Sequence, residues 1–380
     1  MKLIYCIHSI YNPGGMERVL LNKVTYLSEK MGWDITVVTT DQHNRPPFYP
    51  FPKAVRLMDL GVNYSEDNGK NPLLKIAGYL IRKRKHKKAL TELLMKEKAD
   101  LVVSLYPSES SFIPDIQDGS KKVLEIHFCK FFRLQYGRKG LLGRIDKWRT
   151  KQDEEIVSRF DKFVVLTHED RGYWGDLQNI AVIPNAALSL GEQHADSAVH
   201  RVIAVGRLDY QKGFDRLIQA WSLLHQKQLL GDWKLDIFGQ GEWQEWLQQL
   251  INENGLQNSV CLNRPTKNIA KEYVSSSILA MTSHYEGFPM VMIEAMACGV
   301  PVVTFDYKCG PRDIIQQGVN GMVVPEGDIN GFADTLFAVM NEDSWRKELA
   351  VQAENVKDTY SEEVVMKQWI TLFKSLVQKS

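Results

Sequence analysis

The sequence predicts an α/β protein made of two doubly wound parallel sheets in tandem. Three observations carry this. Short β-branched runs alternate with stretches of helical period along the whole chain, the pattern of parallel strands joined by crossover helices. The 380 residues suffice for two cores, and 44% hydrophobic with 24% charged residues is an ordinary globular composition that excludes disordered and fibrous chains. A polar segment at 188–200, "LSLGEQHADSAVH", separates two series of strand-like runs and reads as a linker.

The first series opens with "KLIYCIH", and the following "YNPGGMERVLLNKV" starts a helix at Gly14-Gly15 with Val19, Leu20, Val24 and Leu27 on its buried side. Further strands are read in "DITVVTT", "DLVVSL", "KVLEIH", "KFVVLT" and "AVIP". Between them, residues 71–96 combine Leu73, Leu74, Ile76, Leu80 and Ile81 with the basic block "RKRKHKK". A second basic stretch with interleaved aromatics, "FFRLQYGRKGLLGRIDKWRTK", follows His127. The second series is "RVIAVGRL", "KLDIFGQG", "SVCLNR", "ILAMTS", "VPVVTF" and "GMVVP". In "GRLDYQKGFDRLIQAW" a helix starts at about Gly213, and in "HYEGFPMVMIEAMACGVPVV" Pro289 sets the first turn of a helix that turns Met290, Ile293, Met296 and Ala297 to a core. The final stretch places Val364, Val365, Trp369, Leu372, Phe373 and Leu376 on one helical face, which predicts that it docks. The expected divisions are 1–187, 188–360 and a terminal helix over 361–380 that packs back on the first domain.

The formal net charge of +1 hides an asymmetry: residues 1–185 carry eight more Lys and Arg than Asp and Glu, and residues 186–380 seven fewer. The first half is therefore the one expected to approach an anionic surface. Five scattered cysteines without close pairs argue against a disulfide framework and a zinc site, and point to a reducing compartment. The amino terminus has too short an apolar stretch for a secretion signal, and there is no apolar run long enough to span a bilayer.

In open parallel sheets ligands collect beyond the carboxyl ends of the strands. Gly14-Gly15 lies there, where two glycines let a phosphate or sugar approach the backbone, although a Gly-Gly turn is more often only a turn. Arg207 and Lys212 lie in the loop after the first strand of the second series, where they either gather charge on one diphosphate or are merely solvated. His127 ends a strand, a position that core or capping histidines also occupy. Glu286 and Glu294 stand either side of a Gly-Phe-Pro turn; one acid complements the helix dipole and the other has no structural purpose.

As a set, Glu-x(7)-Glu in "HYEGFPMVMIEAMACGVPVV", "GRLDYQKG" and the early Gly-Gly loop resemble the retaining nucleotide-sugar glycosyltransferases of family 4, the group 1 glycosyltransferases, over nearly the whole chain. The resemblance implies the GT-B fold, two Rossmann-like doubly wound parallel-sheet domains facing across a cleft, with the donor mainly on the second and the acceptor on the first. It implies that Glu294 binds ribose hydroxyls, that Glu286 contacts the donor sugar, and that the amides of Gly287, Phe288 and Met290 bind sugar hydroxyls or phosphate. Arg207 and Lys212 then neutralise the departing nucleoside diphosphate, Gly14 and Gly15 close over it, and His127 lies near the donor sugar. Retention of anomeric configuration follows from the resemblance alone. No two aspartates are two apart, so the metal-holding Asp-x-Asp is missing; metal independence is expected, with no cofactor beyond the donor substrate.

"GPRDIIQQGVNGMVVPEGD" at 310–328 resembles the branch that handles UDP-galactose or UDP-N-acetylgalactosamine in surface-polysaccharide or lipopolysaccharide assembly. A glycan or lipid-linked acceptor is expected, with peripheral contact to anionic lipid at the cytoplasmic face of the membrane through the basic first domain, and no nucleic-acid partner. Two other readings stay open, a nucleotide-sugar epimerase of GT-B fold and a non-catalytic sugar-nucleotide-binding protein. A dehydrogenase is disfavoured because G-x-G-x-x-G is missing.

Overall fold

The computed structural model describes residues 1–67, 71–134, 139–187 and 194–378. These fall into two compact units. One holds residues 1–166, 171–183 and 366–380, and the other residues 167–170 and 184–365.

The first unit is built on a parallel sheet of β1 (Lys2–Ile7), β2 (Asp34–Thr39), β3 (Val55–Asp59), β4 (Leu101–Ser104), β5 (Lys121–Glu125), β6 (Lys162–Val165) and β7 (Ile180–Val182), in the order β3-β2-β1-β4-β5-β6-β7. Its central strands read as unbroken apolar runs because both faces are covered, as parallel sheets require. β3 is an element the apolar runs do not announce. Only Val55 is buried and the next four residues are exposed, since an edge strand pairs on one side and has little core to face. Helix Gly15–Thr25 follows β1, and the long helix Pro72–Glu97 precedes β4.

The second unit repeats the plan with β8 (Arg201–Val205), β9 (Lys234–Phe238), β10 (Val260–Asn263), β11 (Ile278–Met281), β12 (Val302–Phe305) and β13 (Gly321–Val324), ordered β10-β9-β8-β11-β12-β13 and all parallel. Winding reverses between β1 and β4 in the first unit and between β8 and β11 in the second, and such switch points are where loops part to admit a ligand.

The expected linker differs from what is found. Residues 188–193 lie outside the described residues, and the rest of the segment is bonded into the second unit: the Ala195 N–H donates to the Cys298 carbonyl at 2.8 Å and the Asp196 N–H to the Val274 carbonyl at 3.2 Å. Its polar composition reflects a surface strap, which has backbone partners without apolar side chains. The terminal helix Glu362–Val377 buries Val365, Met366, Trp369 and Phe373, and from Met366 onward it belongs to the first unit. There Phe373 packs on Trp33 with ring centroids 6.2 Å apart.

Candidate active site

In the second unit, β8 and β11 are neighbours, so the segments that follow them, 206–213 and 282–289, meet at the carboxyl edge of the sheet. They meet backbone to backbone. Gly213 has φ +59°, and a Cβ there would lie 2.3 Å from the Thr282 carbonyl oxygen, so the left-handed turn and the close approach both demand glycine. Thr282 Oγ1 donates to the Gly213 carbonyl at 2.8 Å, and the His284 N–H donates to the Gln211 carbonyl at 2.8 Å. Gly239, after β9, is as tightly placed, since a Cβ would stand 1.9 Å from the Gly206 carbonyl oxygen.

This pinned pair of loops brings together three of the residues singled out from sequence. Lys212 Nζ donates to Glu286 Oε1 at 2.6 Å, and Ser283 Oγ donates to the same oxygen at 2.7 Å. Gln211 Nε2 donates to Glu286 Oε2 at 3.2 Å, while Gln211 Oε1 accepts from Arg207 Nη2 at 2.8 Å. Arg207, Gln211, Glu286 and Lys212 thus form one hydrogen-bonded chain. Its ends differ: the Lys212 side chain is 15% exposed and the Arg207 side chain 69%. Lys212 is therefore already balanced by a carboxylate, and Arg207 supplies the accessible positive charge, tempered by Asp209 Oδ2 at 3.3 Å from its Nε. The two cations therefore differ in access. Gln211 and Ser283 carry no signature in the sequence; only their place in the two loops marks them.

Beside this chain, Tyr210 and His284 stack with ring centroids 4.2 Å apart. Burial, and then the nearby Arg216 guanidinium, lower the His284 pKa, which favours the neutral ring. Glu294 is the fifth residue of helix Met290–Ala297 and is buried, with Tyr273 Oη donating to its Oε2 at 3.4 Å. Gly287 and Phe288 precede that helix, and the Phe288 ring is buried 5.8 Å from Tyr360. The Met290 N–H donates to the Phe288 carbonyl at 2.9 Å, so of the three amides expected to serve a ligand this one is engaged within its own turn. Gly310, in the "GPRD" turn, packs its bare Cα against Pro289, where a Cβ would lie 2.7 Å from Pro289 Cδ.

In the first unit, Gly14 is the N-cap of helix Gly15–Thr25 with φ −81°, and Gly15 is its first residue. Neither occupies the left-handed region, and a Cβ on Gly15 would meet nothing within 4 Å. The fold thus gives no reason for glycine at position 15. His127 lies two residues beyond β5, with Nε2 3.1 Å from Glu125 Oε1. Elsewhere in the unit a cavity of about 510 Å³ is lined by Tyr64, Tyr79, Tyr106, Arg133, Trp148 and Arg149 among others. Aromatic faces and guanidinium groups in one recess suit a polar ring bearing an anion.

Sequence comparison bears on the second unit. Residues 192–356 match the family model of the glycosyl transferases, group 1. The matched segment contains Arg207, Lys212, Glu286 and Glu294. The amylovoran biosynthesis glycosyltransferase AmsD of Erwinia amylovora is 29% identical over 97% of this chain and 98% of its own length. Among solved structures, the sucrose-phosphate synthase from Thermosynechococcus elongatus superposes with a TM-score of 0.81 at 19% identity, covering 100% of both chains. A TarM variant from S. aureus, solved with fondaparinux, alpha-GlcNAc-glycerol and UDP, superposes with a TM-score of 0.77 at 18% identity over 98% of this chain and 99% of that one. The fold is therefore GT-B, two Rossmann-like parallel-sheet units.

Proposed function

We propose that the protein is a retaining glycosyltransferase that moves a hexose or N-acetylhexosamine from a UDP-sugar to a glycan or lipid-linked acceptor in surface-polysaccharide assembly. The observation that carries this is the meeting of the two loops after β8 and β11, which sets Lys212 against Glu286 inside the segment that matches the group 1 family. The role of the relative in amylovoran biosynthesis and the UDP in the TarM complex support the pathway class and the nucleotide. Galactose or N-acetylgalactosamine as the sugar rests on the resemblance of the segment at 310–328.

In this reading negative charge grows on the β-phosphate as the sugar leaves, and Arg207 with Lys212 meets it. Lys212 reaches the phosphate by sharing its donors with Glu286, whose carboxylate is thereby held for the sugar by Ser283 and Gln211. Glu294 accepts the ribose hydroxyls. Gly14, Gly15 and His127 are assigned to sugar or phosphate binding on the resemblance. The acceptor attacks on the face of the leaving group, with the phosphate taking its proton, and no divalent ion is required. The cavity lined by Tyr106, Arg133, Trp148 and Arg149 receives the anionic acceptor.

We also place the protein peripherally on anionic membrane. Among the described residues no helix is long and apolar enough to cross a bilayer. Helix Pro72–Glu97 instead leaves Leu74, Ile76, Leu80 and Ile81 exposed in the turns that precede its basic block, the combination that seats a helix in a headgroup layer. The side chain of Leu73 lies outside the described residues.

The test is a thermal-shift screen of nucleoside diphosphates and their sugars, followed by turnover with and without lipid-linked acceptor and with chelator. UDP and a UDP-hexose should raise the melting temperature by mass action, and transfer should need acceptor and survive EDTA. Conversion of the UDP-sugar without acceptor, or activity lost to chelator and restored by magnesium or manganese, would refute the reading.

A further inference from the structure

Lys23 sits on the inner face of helix Gly15–Thr25 and Glu125 is the last residue of β5, and both side chains are buried. Lys23 Nζ donates to Glu125 Oε1 at 2.5 Å, the same oxygen that lies 3.1 Å from His127 Nε2. Trp369 of the terminal helix covers the other side of the ammonium, its ring centroid 3.7 Å from Nζ. The His127 side chain is 9% exposed, and its Nδ1 is buried without a hydrogen-bond partner among the described residues.

A lysine and a glutamate taken fully out of water are costly unless each compensates the other, so a purely structural explanation is weak when apolar residues would fill the space equally well. Their arrangement has a chemical consequence. Burial alone would raise the Glu125 pKa, but the Lys23 ammonium against its Oε1 works the other way and keeps the group ionised, so at neutral pH the carboxylate only accepts. The proton of a neutral His127 then belongs on Nε2, and Nδ1 is left with its lone pair. A buried acceptor without a partner is unfavourable, and a hydroxyl donor relieves it.

We propose that Lys23, Glu125 and Trp369 are positioning residues for His127. They lock the ring as the Nε2–H tautomer and hold Nδ1 as the acceptor for a hydroxyl of a bound sugar. This rests on the glycosyltransferase reading for the identity of the hydroxyl, but not for the tautomer.

The two parts are separable by experiment. Long-range ¹H–¹⁵N correlation spectra of histidine-labelled full-length protein, wild type, Glu125→Gln and Lys23→Met, report the His127 tautomer without any substrate, and His127→Gln assigns the signals. Wild type should show Nε2–H alone. Glu125→Gln should show a mixture with Nδ1–H, because an amide both donates and accepts. Lys23→Met should lose the single tautomer as well, because the carboxylate is left without its counter-charge. Titration with a UDP-hexose should move the wild-type Nδ1 resonance, and Glu125→Gln should raise the KM for donor. Wild type in the Nδ1–H form or an even mixture, or a folded Glu125→Gln that keeps the wild-type tautomer, overturns the proposal. A single Nε2–H tautomer whose Nδ1 resonance ignores every UDP-sugar that binds would overturn the assignment of Nδ1 to a sugar hydroxyl and leave the positioning role standing.

Discussion

At the scale of residues, charge at the candidate site is arranged in pairs. Lys212 faces Glu286 and is largely enclosed, so its removal leaves a shielded carboxylate with only Ser283 and Gln211 for company. Lys212→Ala should cut kcat on the order of 10²-fold or more while the folded protein remains, as shown by unchanged far-ultraviolet circular dichroism. A second buried acid gives a pH signature of its own. Burial pushes the Glu109 pKa from 4.5 up to about 7, against the help of a Ser104 hydroxyl 2.5 Å away. The folded protein thus keeps a proton that the unfolded chain releases, and the associated stability is complete below pH 4.5 and fades as pH rises through about 7. Glu109→Gln should therefore gain on wild type between about pH 5 and about pH 8, by on the order of 3 kcal/mol in urea unfolding. Some of this was legible beforehand and some was not. Arg207, Lys212 and Glu286 stand out because they interrupt strand-to-helix junctions where a fold alone wants glycine, proline or a cap, and Glu294 because it is an acid inside an apolar helical run. Lys23 and Glu125 do not stand out: they are far apart in sequence and look like one more lysine on a helix and one more acid on a strand. Only the β1-β4-β5 adjacency that places helix Gly15–Thr25 over the end of β5 makes them a pair.

At the scale of elements, strands buried on both faces were readable as apolar runs, whereas β3 was hidden because an edge strand is defined by its backbone partner and not by its side chains. Gly15 shows the converse. The helix it opens tolerates any residue there, since a Cβ would meet nothing within 4 Å. Gly15→Ala should leave the melting temperature unchanged or slightly raised and increase the KM for UDP-sugar, because the added methyl intrudes only on a ligand. The terminal helix makes the opposite demand. Trp369 is fully enclosed between Phe373 and the Lys23 ammonium, and Trp369→Ala should cost about 3–5 kcal/mol in chemical denaturation, the range for emptying a large aromatic from a core.

At the scale of the molecule, the charge asymmetry and the exposed apolar residues converge on the first unit. Ile76→Glu with Ile81→Glu should abolish co-sedimentation with vesicles containing phosphatidylglycerol, leaving transfer to a short water-soluble acceptor near wild type. Wild-type binding to those vesicles should weaken as salt rises, because each Lys or Arg near an anionic surface contributes only about 1 kcal/mol and is screened within a Debye length. Binding that persists in the double variant would locate the membrane contact elsewhere.

The first unit is assembled from three separate stretches of chain, and the last of them is residues 366–380. A polypeptide leaving the ribosome therefore exposes the sheet that needs Trp369 throughout the synthesis of everything between. The amino-terminal part of the unit waits for the helix that carries Trp369 before its buried ammonium is roofed. Until residues 366–377 arrive the Lys23 ammonium faces water, so the order of synthesis defers closure of the first unit past nearly two hundred residues that belong mostly to the second.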